Sequence, residues 1–164
     1  MAKDSTKLVI RNIGLLLSGK IEQPILDGDC LIALNGKITA WGAEKDPDTE
    51  AATTEIDAHG VTLAPGLIDS HIHPVVGDYT PRQQQLHWID STLHGGVTTL
   101  ISAGEVHMPG RPKDIVGLKA MAIASQRWYE NFRPSGMKVH AGAPVIEHGM
   151  VEQDFKDLAD AGVK

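Results

Sequence analysis

Apolar residues in the first third of the chain fall in short runs separated by turn formers, which is a strand-and-turn pattern. Strands are predicted at 8–13, 15–17, 30–34, 38–41 and 55–57. Gly19, Gly28 and Gly42 punctuate them, and Asn35-Gly36 is the dipeptide that a two-residue hairpin favours. Past Pro65 and Gly66 the pattern changes. Leu67 and Ile68 open a strand that carries Asp69, His71 and His73. Thr80, Pro81 and Gln83 then read as N-cap, first helical residue and capping-box partner, and Leu86, Ile89 and Leu93 follow at helical spacing up to Gly95-Gly96. Residues 97–101 form a dense apolar and β-branched strand, the kind expected in a parallel sheet buried on both faces.

A second helix is predicted over 114–132, ended near Arg133 because Pro134 disfavours helix in the residue before it. A strand over 137–143 and a helix over 151–161 follow, the latter burying Phe155, Leu158 and Ala159. Three times a glycine closes a helix and an apolar residue comes next: Gly96-Val97, Gly136-Met137 and Gly162-Val163. Glycine takes the left-handed stop, and a short connection drops into the next parallel strand. The expected class is α/β, with a β segment over residues 1–62, three βα units over residues 63–164, and a fourth strand opening at Val163.

Composition narrows the class. At 164 residues, 41% hydrophobic and 22% charged, the chain has the make-up of a soluble domain with a real core. A net charge of -6 gives no basic footprint for nucleic acid or an anionic membrane surface. No apolar run approaches the ~20 residues of a membrane helix. The lone Cys30 and the lack of an apolar leader predict a reducing, cytoplasmic setting. Residues 1–6 read as a frayed start. The acidic run 44–50 reads as a solvated loop, with a cation site as the alternative. His59 reads as a turn residue, His87 as exposed, and His94 as a cation favoured by the last turn of its helix.

The candidate chemistry lies in His71 and His73. Residues i and i+2 of a strand point to one face, so both imidazoles project side by side, and imidazole suits zinc, iron and related divalent ions. Two polar residues turned to solvent are the alternative, against which the apolar lead-in and Asp69 weigh.

The stretch PGLIDSHIH (65–73) resembles the first-strand signature of the amidohydrolase superfamily, metal-dependent hydrolases on a TIM-like (β/α)8 barrel. Within it, GDYTPRQ (77–83), LHGGVTTLISAG (93–104), PGRPKD (109–114) and KVHAGA (138–143) resemble members that open a cyclic enamide in nicotinate fermentation. The resemblance implies that the β segment is part of a composite β-sandwich completed by C-terminal strands, and that residues 63–164 are the first part of a barrel. Such a barrel takes about 250 residues, so the chain is expected to be the N-terminal part of the enzyme.

It further implies that His71 and His73 bind one divalent metal of a binuclear centre of zinc and/or iron. The bridging carboxylate, the second-metal histidines and the catalytic aspartate would come from strands four, five, six and eight. No catalytic residue is then expected up to Lys164, and these residues alone are expected to be inactive. A metal-activated water would attack the carbon of a cyclic amide, and the aspartate would protonate the leaving nitrogen.

Loops after the strands offer substrate contacts: Tyr79 and Arg82, His107 and Arg111, Glu147 and His148. An arginine fork suits the carboxylate of a nicotinate-derived substrate, whereas ordinary surface or helix-start roles are the alternative. His140 faces the lumen or is a hydrogen-bonded core residue, and Asp69 is a hydrogen-bonding support and not a ligand. Trp128 and Tyr129 are helix-packing residues, with an aromatic substrate shelf as the other reading. A small cyclic amide is the expected partner, and the complete enzyme is expected to be a homo-oligomer. Other cyclic amidases or deacetylases of the superfamily, dihydroorotase-like or imidazolonepropionase-like, and a non-catalytic truncated homologue are the competing readings.

Overall fold

The computed structural model describes residues 6–43, 52–74, 85–104 and 111–164. Residues 1–5 of the start predicted to be frayed over 1–6, the acidic run 44–50, and the cap predicted at Thr80, Pro81 and Gln83 lie outside them, as does the side chain of Leu86. The chain divides into two compact units, Met1–Pro65 and Gly66–Lys164.

The first unit is built of strands. β1 (Lys7–Arg11), β2 (Leu15–Leu17), β3 (Ile25–Leu26), β4 (Cys30–Leu34), β5 (Lys37–Gly42), β6 (Thr54–Asp57) and β7 (Thr62–Leu63) form two sheets, in the orders β5-β4-β1-β6 and β3-β2-β7. β4 runs antiparallel to β1 and β5, and β6 runs parallel to β1. Asn35 and Gly36, at φ 51° and 77°, make the expected two-residue hairpin, with Leu34 opposite Lys37. β4 is apolar throughout because both its faces are covered. Cys30 and Ile32 pack with Val9, and Leu31 packs on the other side with Ile13 and Leu16. β3 and β7 escape sequence reading, since two residues are too short to show an alternation.

The second unit carries a parallel sheet whose order follows the chain: β8 (Leu67–Ile72), β9 (Val97–Ser102) and β10 (Lys138–His140). α1 (Gln85–His94), α2 (Ile115–Asn131) and α3 (Glu152–Asp160) alternate with the strands. Ile89 of α1 and Tyr129 of α2 lie against Ile72, Leu100, Met137 and Val139 of the sheet side. Each large apolar side chain so buried contributes roughly 1.5–3 kcal/mol. Asp114 caps α2 by accepting the Gly117 N–H at 2.8 Å, and the Asp154 carboxylate accepts the Val151 N–H at 2.9 Å at the start of α3.

Several expectations are corrected. β9 is only partly covered: on one face Leu100 and Ser102 are buried but Thr98 is exposed, and on the other Val97, Thr99 and Ile101 are half-buried. α2 is bounded by Asp114 and Phe132 as its caps, as expected, but a single 3-10 turn, Pro134–Gly136, intervenes before β10. On α3 only Leu158 of the predicted stripe is buried, whereas Phe155 and Ala159 are exposed. Trp128 is exposed, while Tyr129 is buried as expected. Val163 makes no strand pairing among the described residues. Its N–H donates to Leu158 O at 3.0 Å, the Gly162 N–H donates to Ala159 O at 2.9 Å, and its side chain packs on Leu158. That is a Schellman stop with its apolar clasp, so the residue after the glycine is buried for the benefit of the helix just ended.

Candidate metal centre

β8 and β9 pair with Leu67 opposite Val97 and, after a first shift between Leu67 and Ile68 that places the extra residue on β9, with Ile68 opposite Thr99 and Asp69 opposite Leu100. Three residues later on β8, but only two later on β9, Ile72 stands opposite Ser102, so the ladder is irregular between Asp69 and Ile72. An extra residue of this kind re-aims the side chains that follow it. Asp69 supports the irregularity, its carboxylate oxygen accepting the His71 N–H at 3.0 Å. Beyond it, Ile72 is 3% exposed in the core, while His71 and His73 on either side are exposed.

The imidazoles therefore share a side of the strand end, as the i, i+2 spacing predicts. Their ring centres are 5.3 Å apart with the planes at 84°. An ion bonded at about 2.1 Å to one nitrogen of each ring, at a near-tetrahedral angle, needs ring centres about 5.2 Å apart. The pair thus fits a shared divalent ion by spacing and by donor chemistry. It is a two-member set, since among the described residues no group of three or more His, Cys, Asp or Glu is placed to hold a metal.

The end of β9 holds the end of β8. Ala103 N donates to Ile72 O at 2.8 Å, and His73 Nδ1 lies 2.8 Å from the Gly104 carbonyl oxygen. Gly104 N donates to the Ser102 hydroxyl at 3.3 Å. Sequence reading missed the part played by Gly104. The available signal was a glycine three residues past the end of a predicted strand, but its meaning depends on which strand lies alongside.

His140 ends β10 opposite Ile101 and is half-buried. Burial, and secondarily Lys138 and Lys164, lower its pKa and favour the neutral ring. Arg111 and Glu147, expected to meet substrate, meet each other: Arg111 Nη2 donates to Glu147 Oε1 at 2.6 Å, with both side chains largely covered. Arg111 Nη1 is buried and makes no hydrogen bond among the described residues. His148 is exposed. Tyr79, Arg82 and His107 lie outside the described residues. No helix among the described residues is long and apolar enough to cross a membrane.

No protein-family model matches the chain. Among curated proteins it is 48% identical over 158 residues to enamidase of Eubacterium barkeri, which covers 96% of this chain and 41% of that protein. It is 30% identical over 159 residues to an L-hydantoinase of Paenarthrobacter aurescens, covering 95% of this chain and 33% of the relative. Among solved structures it matches a crystal structure of enamidase, described as a new member of the amidohydrolase superfamily, with a TM-score of 0.87 and 49% identity over 96% of this chain and 41% of the other. The chain spans about two fifths of the length of enamidase. By sequence along nearly its whole length, and by a mixed α/β fold that superposes on the solved enamidase, the chain belongs to the amidohydrolase superfamily.

Proposed function

We propose that the full-length protein is a metal-dependent hydrolase that opens a cyclic amide, as an enamidase does, with His71 and His73 as ligands of one divalent ion. The observation that carries this is the imidazole pair at 5.3 Å on the end of β8, in a chain 48% identical to enamidase. A bound divalent ion supplies polarisation of the amide carbonyl and lowers the pKa of a water toward ~7. The chain's own part is to fix two nitrogens: Asp69 holds the His71 backbone, and the end of β9 holds His73. The finer reading is a binuclear centre of zinc and/or iron and a carboxylated, nicotinate-derived substrate. Tyr79, Arg82, His107 and Arg111 are its candidate contacts, and a reducing, cytoplasmic compartment is its setting. The division at Pro65 and the consecutive parallel order of β8, β9 and β10 support a sandwich segment followed by the first βα units of a barrel.

The test is hydrolysis by the full-length protein of a carboxylated six-membered cyclic enamide beside uncharged lactams and a hydantoin. Turnover of the carboxylated enamide that chelator abolishes and divalent metal restores is the expected result. Preference for the hydantoin would favour a second reading, which the similarity to L-hydantoinase supports. Activity indifferent to chelator would overturn both.

A further inference from the structure

We infer that Gly104 is a positioning residue for the metal centre: its carbonyl fixes His73 as the Nδ1–H tautomer, so that Nε2 is the atom offered to the ion. This rests on the reading of His73 as a ligand. A neutral imidazole carries one proton, and the hydrogen bond made by one ring nitrogen decides which nitrogen can coordinate. A carbonyl oxygen only accepts, so the 2.8 Å contact from His73 Nδ1 to Gly104 O requires the proton to sit on Nδ1.

The carbonyl is aimed by a backbone that other residues do not adopt. Gly104 has φ 144°, a region essentially closed to side-chain-bearing L residues. Its N–H is tied back to the Ser102 hydroxyl at 3.3 Å, and the neighbouring Ala103 N–H is tied to Ile72 O at 2.8 Å. The carbonyl is therefore held from both β9 and β8. Among the described residues a Cβ on Gly104 would find room, its nearest neighbours there being Val145 Cγ2 at 3.5 Å and His73 Cε1 at 4.0 Å. The demand for glycine at this position is thus one of backbone angle, and Gly104→Ala perturbs the direction of the carbonyl without a steric collision among the described residues.

The experiment uses the full-length protein stripped of metal, with histidine labelled in nitrogen-15 and the His73 signals assigned by their loss in His73→Gln. Long-range proton–nitrogen spectra at mildly alkaline pH report which ring nitrogen is protonated. The expected result is a single Nδ1–H tautomer in the unsubstituted protein. Titration with zinc alone should then show Gly104→Ala binding about 10–100-fold more weakly, with an altered tautomer balance. An Nε2–H tautomer, or an even mixture, in the unsubstituted protein would overturn the inference whether or not the variant folds. So would unchanged zinc affinity in a folded Gly104→Ala. An Nδ1–H His73 in a protein that binds no zinc would support the tautomer lock while removing the metal reading, so the two failures are distinguishable.

Discussion

Arg111 gives its Nη2 to Glu147, a carboxylate of its own chain, and this changes what its substitution should do. The pair joins the loop after β9 to the loop after β10 and is only 18% and 28% exposed, so removing one partner leaves the other poorly solvated. Glu147→Ala is expected to destabilise by about 1 kcal/mol in a thermal melt of the full-length protein. Arg111→Lys keeps the charge but loses the planar fork, and with a carboxylated cyclic amide it should raise KM several-fold while leaving KM for an uncharged lactam unchanged. Equal KM values in variant and parent would leave Arg111 as a clamp between loops. At this scale the histidine pair was legible because strand alternation is a local rule, satisfied within three residues. Gly104 was not legible, because its partner His73 lies 31 positions away and only the β8–β9 pairing brings them together.

At the scale of elements, α3 is attached to α2 by one apolar residue and a charged bridge. Leu158 packs against Ala122, while Lys119 of α2 donates to Asp154 at 3.1 Å and to Asp157. The Asp157 and Asp154 carboxylates hold the Lys119 pKa above its usual value. Asp154 is held below the usual carboxylate range by the Val151 N–H first and by Lys119 second, and Asp157 by Lys119 and then Gln153. Carboxylates with lowered folded pKa values contribute stability that is present above the unfolded value of 3.8 and lost as pH falls through the folded values. The lysine, raised from 10.5, contributes below that value and loses its share as pH rises through the folded one. Amide exchange in α3 should therefore be faster in Lys119→Met than in the parent at neutral pH, and the difference should shrink as pH falls below 3.8 and vanish once it is below the lowered folded values of Asp154 and Asp157. A difference that persists in acid would assign the attachment to packing alone. The sequence period located α3 and its apolar stripe but could not say which edge of the stripe meets α2. That choice left Phe155 exposed and buried Val163 through a helix stop.

At the scale of the molecule, each unit leaves apolar surface and strand edges uncovered among the described residues. In the first, Ile38 and Trp41 are more than half exposed and line a hollow of about 500 Å³ with Leu16, Leu31 and Leu63. In the second, Leu67 and Ile68 are 61% and 65% exposed, and among the described residues β8 and β10 each pair with β9 alone. Parallel sheets are ordinarily covered on both faces, and open edges invite pairing with other chains. Residues 1–164 expressed by themselves should self-associate in size exclusion and show no amidase activity with added metal. A monodisperse monomer with a sharp melt and metal-dependent turnover would contradict this. The strand order and the βα alternation were legible because each βα unit repeats a local punctuation, whereas the partial burial of β9 depends on what packs there and has no local signal. The central claim, that His71 and His73 hold a divalent ion for amide hydrolysis, is tested most directly by measuring metal per chain by mass spectrometry beside cyclic-amide hydrolysis in the full-length protein and its His71→Ala and His73→Ala variants. Both variants should lose metal, with turnover down by more than about 100-fold; parental metal content and turnover in His73→Ala would contradict the account.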